Sequence, residues 1–285
     1  MSLSGVLHRR PGFRLGLLLT PPMLWLGVAY LGALAALFIT SLWGQNSFTG
    51  QVERTWTLDN FRTLLTEGVY RTITLRTIGV AALVTVVDAV LAIPIALFMA
   101  KVASRRWQPV LVVAVLTPLW ASYLVKAYAW RGMLSENGLV SWLGAPFGLS
   151  SPGYGLPAVV LTLAYLWLPF MILPIFAGLE RLPDSLLEAS ADLGATAQQT
   201  LRSVVLPMVF PALVAGSLFT FSLSLGDYIT VRIVGGASQM LGTVVYDNVG
   251  VANNLPFAAA MATVPVVIML VYLALVRRTG ALDNL

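Results

Sequence analysis

Charge is almost missing from long tracts of this chain, and that feature constrains its fold more than any other. Residues 15–52, 107–125, 137–179, 203–226 and 248–276 contain no Asp, Glu, Lys or Arg, and 77–100 is interrupted only by Asp88. A helix that crosses a bilayer needs about 20 consecutive, mostly apolar residues. The tracts meet that need, and they lack the two-residue alternation of a β-barrel. The sequence therefore predicts an all-α, polytopic membrane protein with six spans, at 15–43, 77–100, 107–130, 156–179, 208–230 and 256–276. Pro94, Pro118, Pro169, Pro174, Pro211 and Pro265 fall inside these spans, where membrane helices tolerate proline better than soluble ones do.

Composition narrows the chemistry. Of 285 residues, 58% are hydrophobic and 10% charged, against roughly 25% charged in a soluble domain. A soluble enzyme and a disordered chain are excluded. There is no Cys, and His8 is the one imidazole, which excludes a disulfide scaffold and most metal chemistry. The net charge of +5 reads as topology, with no nucleic-acid partner implied. Placing the N-terminus inside puts Arg9, Arg10, Arg14, Lys101, Arg105, Arg106, Arg181, Arg202, Arg277 and Arg278 inside, ten positives against seven outside. The expected layout is a cytoplasmic N-terminus (1–14), a membrane domain (15–276) and a cytoplasmic C-terminus (277–285). The apolar run after Arg14 is longer than a signal peptide's core, so it reads as an uncleaved first span.

Three segments fall outside. At 57–70, Leu58, Phe61, Leu64, Leu65 and Val69 recur at helical spacing behind Thr57, a possible N-cap, which predicts a helix at the outer interface. Residues 132–155 and 233–255 read as outer loops that either connect helices or dock an external partner.

The most informative segment is the polar stretch 182–207. Pro183 suits the first position of a helix, and Asp184 and Glu188 lie in its early turns, where the dipole favours negative charge. Gly194 suits the left-handed residue that ends that helix. Thr196 and Gln199 form a capping box for a second short helix, and Pro207 marks entry into the next span. Glu180, Asp184, Glu188 and Asp192 recur every four residues, which predicts one acidic stripe on a helix. Like charges at that spacing oppose one another, which leaves two readings: a solvated polar loop, or a surface for a basic partner.

This stretch resembles the EAA motif of the membrane subunits of bacterial binding-protein-dependent ABC importers. The family pattern is E-A-A, three residues, G, nine residues, I, one residue, L-P. Here it reads Glu188-Ala189-Ser190, Gly194, Val204 and Leu206-Pro207, with Ser and Val as mild departures and the spacing intact. WTLDNFRTLL (56–65), PLWASYLVKAYAWRGML (118–134), SLGDYIT (224–230) and MLGTVVYDN (240–248) are similar to the spermidine/putrescine branch, which also includes permeases for opines, thiamine and ferric iron. The resemblance implies the type I ABC importer permease (MetI-like) fold, in the inner membrane. It implies that 182–207 is a coupling helix seated in a cytoplasmic ATPase, with Glu188, Ala189, Gly194, Leu206 and Pro207 carried over and Asp184 and Asp192 beside them. Partners implied are a homodimeric ATPase, a second and different permease, and an external substrate-binding protein, within the lipid bilayer. The chain has no G-x-x-x-x-G-K-[ST] loop and no Gly-Lys pair, so it is not expected to be an enzyme, and ATP and Mg would be bound by the partner ATPase.

Ionisable residues within spans are costly and often functional. The candidate path residues are Asp88, Asp227, Tyr228, Tyr246, Asp247 and Trp130. Carboxylates and aromatic faces suit a polyamine; an opine, another organic cation, thiamine or ferric iron are the alternatives. Each residue also has a plain structural reading. Asp88 could bond a neighbouring helix, Asp227 could pair with Arg232 or cap a broken helix, and the aromatics near Trp120, Tyr123, Tyr128 and Trp130 could form an interfacial belt. A proton-coupled transporter using Asp88 and Asp227 is the remote alternative, and it leaves the Glu188–Pro207 spacing unexplained. A membrane-embedded enzyme would want clustered catalytic groups.

Overall fold

A computed structural model describes residues 11–46 and 48–278; Arg9, Arg10 and most of the two terminal segments assigned to the cytoplasm lie outside the described residues. Five helices are long and apolar enough to span a membrane: Leu18–Ser41, Gly68–Val102, Leu156–Glu180, Ala197–Leu225 and Leu255–Arg278. A pair of helices, Gln108–Trp120 and Tyr123–Met133, is apolar enough to make a sixth if the two together form one span. The elements run α1 (Pro11–Leu26), a π-turn, α2 (Gly32–Ser41), a two-residue antiparallel pair β1 (Gly44–Gln45) and β2 (Val52–Glu53), α3 (Asp59–Thr66), α4 (Gly68–Leu97), α5 (Gln108–Trp120), α6 (Tyr123–Met133), α7 (Leu139–Gly144), α8 (Leu156–Glu180), α9 (Asp184–Asp192), α10 (Ala197–Thr200), α11 (Leu206–Leu225), α12 (Ile229–Val234), α13 (Leu241–Gly250) and α14 (Leu255–Arg278).

The core is the packing of α4, α8 and α11 on one another. Lipid tails offer no hydrophobic drive between helices, so close approach depends on small residues and good fit. Ala92 and Ala96 of α4 accordingly meet Met171, Ile175 and Leu179 of α8 and Val209 of α11 in one buried cluster. A second cluster nearer the opposite end joins Val80 and Val84 to Leu163, Leu166, Val231, Val234 and Met240. The first span packs chiefly on α14, through α2, and its most apolar stretch buries none of its residues.

Four expectations are corrected. The span expected at 107–130 turns by 90° between α5 and α6. Pro118 deprives the last turn of α5 of a donor, Ala121 is extended, and Ser122 takes the N-cap position of α6. The span expected at 77–100 begins earlier, at Gly68. The span expected at 208–230 ends at Leu225. It also starts earlier: α10 runs through a π-turn (Leu201–Val205) into α11 without a break, so the second short helix is the foot of the span itself. Finally, 233–255 is not a simple loop, because α13 sits within it with Met240 and Leu241 fully buried.

The expected helix at 57–70 exists as α3, shorter than predicted. Thr57 accepts the Asp59 N–H at 3.1 Å from one position ahead of the cap. Phe61 and Leu64 pack on α13 and α14, while Leu58, Leu65 and Val69 stay exposed. Asn60 donates to the carbonyls of Ser41 and Trp43 at 2.9 and 2.8 Å. It thereby satisfies carbonyls that the end of α2 leaves without helical partners.

Candidate functional site

Two groups of candidate residues lie at opposite ends of α11. The first is the hairpin of α9, Gly194 and α10. Pro183, extended at φ −64° and ψ 134°, precedes α9, and Asp184 occupies the first turn. Gly194 has φ +74°, a left-handed conformation that costs glycine least. Its N–H donates to the Ala191 carbonyl at 2.8 Å. Thr196 and Gln199 complete the capping box: the Thr196 N–H donates to Gln199 Oε1 at 2.8 Å and the Gln199 N–H to Thr196 Oγ1 at 3.4 Å. Ser190, the departure from the family's alanine, is buried and shares a hydroxyl hydrogen bond of 2.8 Å with Thr200. That bond fastens the two legs of the hairpin together.

The acidic stripe divides. Glu180 ends α8, and the turn 181–183 separates it from α9, so the four acids do not share one helix. Asp184 already has a partner, Lys101 Nζ, at 2.6 Å. That hydrogen bond and charge, with Arg105 adding to the field, hold the Asp184 carboxyl below its usual range. Glu188, Ala189, Asp192 and Leu193 remain exposed, Leu193 at 88%. A cleft of about 1000 Å³ lies beside α9, lined by Lys101, Arg105, Phe176, Glu180, Asp184 and Glu188 among others. Pro207, at the foot of α11, lines a second groove of about 400 Å³ with Pro174, Gly178 and Pro211, and Leu206 opens α11 beside it.

The second group surrounds the break after Leu225. Asp227 is buried, and its carboxylate accepts hydrogen bonds from the Tyr123 hydroxyl and, at 2.8 Å, from the Thr230 N–H. It caps the broken helix, one of the two roles the sequence left open. The other is corrected: Arg232 pairs with Asp247, at 2.8 Å. Tyr228 stacks on Tyr246 at 4.9 Å and 18°, and the Arg232 guanidinium lies 4.6 Å above the Tyr246 ring. Gly242 lets α13 press on the break, since a Cβ there would lie 2.9 Å from the carbonyl oxygens of both Gly226 and Asp227. Thr77 of α4 accepts the Leu241 N–H at 3.0 Å. Cavities of about 310 and 370 Å³ share Gly226 and Tyr228 in their walls, one adding Tyr123, Trp167 and Asp227, the other Tyr246 and Pro265.

The structure thus brings Asp227, Tyr228, Tyr246 and Asp247 together. Trp130 stands apart, against Tyr165 at 5.5 Å, and Trp120 and Tyr128 are exposed, as a belt requires. Asp88 is buried mid-span in α4, and among the described residues neither oxygen has a hydrogen-bond partner. From the sequence, Lys101 reads as a topology charge and Tyr123 as one of an outer aromatic cluster, either a cation surface or a belt; each in fact bonds a candidate acid. The position of Lys101 at the very end of a span, against an acid-rich segment, was the available signal.

Residues 76–280 match the family described as binding-protein-dependent transport system inner membrane component. The chain belongs to this family. The inner membrane ABC transporter permease protein YdcU of Escherichia coli strain K12 is 43% identical over 99% of this chain and 95% of its own. The spermidine/putrescine transport system permease protein PotB of the same strain is 30% identical over 82% of this chain and 86% of its own. A crystal structure of a bacterial alginate ABC transporter in complex with an alginate pentasaccharide-bound periplasmic protein superposes with a TM-score of 0.74 at 16% identity, covering 99% of this chain and 98% of that one. It supports the importer permease fold. The protein is a multi-pass ABC importer permease of the inner membrane, with five long apolar helices and one bent helix pair.

Proposed function

We propose that this permease forms half of the path for a polyamine-like organic cation. An external binding protein delivers the cation, and a separate homodimeric ATPase, which binds ATP and Mg, drives the import. The membrane domain is 15–276, both termini are cytoplasmic, and the other half of the path is a second, different permease. The observation that carries the coupling role is the state of the hairpin: its turn is fixed by internal hydrogen bonds, yet Glu188, Ala189, Asp192 and Leu193 stay exposed. A rigid hairpin that presents one acid-and-leucine surface suits a groove in a partner. Asp184, Gly194, Leu206 and Pro207 shape and support that surface.

The cargo class rests on a different observation. Tyr228, Tyr246 and Asp247 form a cation-holding arrangement that already contains a guanidinium, that of Arg232. Ring faces and a carboxylate attract an ammonium by the same electrostatics. The relative named for spermidine/putrescine transport agrees in class. Asp88, Asp227 and Trp130 belong to the walls or supports of that path.

The test is Glu188→Arg in the assembled complex. Membrane insertion persists, co-purification of the ATPase is lost, and uptake of radiolabelled spermidine falls at least about tenfold. Retained ATPase and unchanged uptake would sink the coupling role. Uptake that is absent from the wild-type complex would sink the polyamine reading alone.

A further inference from the structure

Lys101 occupies the π-turn that ends α4, and its side chain is only 15% exposed. Its Nζ donates at 2.7 Å to the carbonyl of Leu182 and at 2.6 Å to Asp184 Oδ1. Both acceptors have reasons to want a cation. The Leu182 carbonyl lies just past the C-terminus of α8, where carbonyls lack helical donors and the dipole is negative. Pro183 follows it and brings no N–H of its own. Asp184 begins α9, its carboxylate is 75% exposed, and Arg105 is the further cation acting on it. Glu180 and Glu188 line the same cleft and reinforce the demand for positive charge there.

The chain joins the hairpin covalently to α8 and to α11, through 181–183 and through the continuous α10. It has no covalent link to α4 there. α4 nonetheless packs along both of those helices and carries Asp88.

We propose that Lys101 is a positioning residue that ties the end of α4 to the head of the hairpin, so that a force on the hairpin enters the bundle through α4, α8 and α11 together. Asp184 then serves this tie and not the surface that meets the ATPase. The inference rests on the reading of the hairpin as the ATPase contact.

This chain has no cysteine, so an introduced pair would be its only thiols. In the complex of both permeases, ATPase and binding protein, Lys101→Met and the pair Lys101→Cys with Asp184→Cys keep the ATPase bound. Spermidine uptake, and the stimulation of ATP hydrolysis by loaded binding protein, fall about tenfold, within the usual range of coupling between sites. Lys101→Arg stays within about twofold of wild type, since it keeps the charge and the donors. Bridging the two cysteines with a short bifunctional thiol reagent restores coupling to within about threefold of wild type. Normal coupling in Lys101→Met, or a bridged pair that stays inactive, overturns the proposal. Loss of ATPase binding in Lys101→Met with equal loss in Lys101→Arg also overturns it, because the tie would then be part of the docking surface. A Glu188→Arg complex that still binds and couples its ATPase refutes the hairpin reading instead, and the Lys101 variants remain readable through hydrolysis if spermidine is not the cargo.

Discussion

Apart from the Lys101 tie at the hairpin's head and the Thr230 N–H on Asp227, the hairpin at one end of α11 and the break at the other are held by different kinds of contact. Around Gly194 the bonds are local: Thr196 with Gln199, Ser190 with Thr200, Gly194 with Ala191. Around Gly226 they reach across the chain: Tyr123 to Asp227, Thr77 to Leu241, Gly242 against Asp227. A locally bonded unit can move as a piece without losing its shape. A unit held by distant helices changes shape when those helices move. Under the proposed coupling role, one end would be pushed and the other would respond.

The largest effect that would break this contrast is at Gly194. Gly194→Pro cannot adopt φ +74° and loses the N–H that bonds Ala191. Spermidine uptake should fall more than about a hundredfold, with normal insertion in the membrane, since a positioned contact is lost entirely. Wild-type uptake in this variant would mean that the hairpin's shape is irrelevant.

A smaller effect sharpens the other side. Asp227→Ala leaves the Thr230 N–H and the Tyr123 hydroxyl without their acceptor, which should cost about 1–2 kcal/mol as lost caps do, seen as a lower Tm. Asp227→Asn keeps an acceptor oxygen and should stay within about threefold of wild-type uptake. A hundredfold loss in the asparagine variant alone would assign Asp227's charge to the path and not to the cap.

The smallest effect concerns pH. Lys101 holds the Asp184 carboxyl below its usual range, so the stabilising pair is present above the ordinary carboxylate pKa and is lost only as pH falls through the depressed folded value. Moving from pH 7 to about pH 5 should therefore leave Lys101-dependent coupling unchanged. A loss over that interval would show that the pair is weaker in the working complex.

The same division explains what could be read from the amino-acid order. The hairpin was legible because Pro183, Gly194, Thr196 and Gln199 carry their meaning within a few residues of themselves. The apolar tracts revealed the five long apolar helices for a similar reason. The bend after Trp120 was missed because hydropathy runs on through it, and the end of the helix at Leu225 because the apolar run resumes at Ile229 after the short Gly226-Asp227-Tyr228 interruption. The burial of α13 was missed because its reasons, Thr77 on α4 and Phe257 on α14, are distant in the chain. Asp184 was assigned outward because spacing alone cannot show that α8 ends and α9 begins between Glu180 and Asp184.

The unbroken helix from Ala197 to Leu225 has 29 residues, hence a length of roughly 43 Å at 1.5 Å per residue. The hairpin adjoins one end of this rod and Gly226 the other. A tilt of about 10° about its hairpin end would sweep the Gly226 end through roughly 7 Å, more than the width of the aromatic stack it adjoins. The sweep of a rigid tilt of that size would exceed the 4.9 Å that separates the Tyr228 and Tyr246 rings.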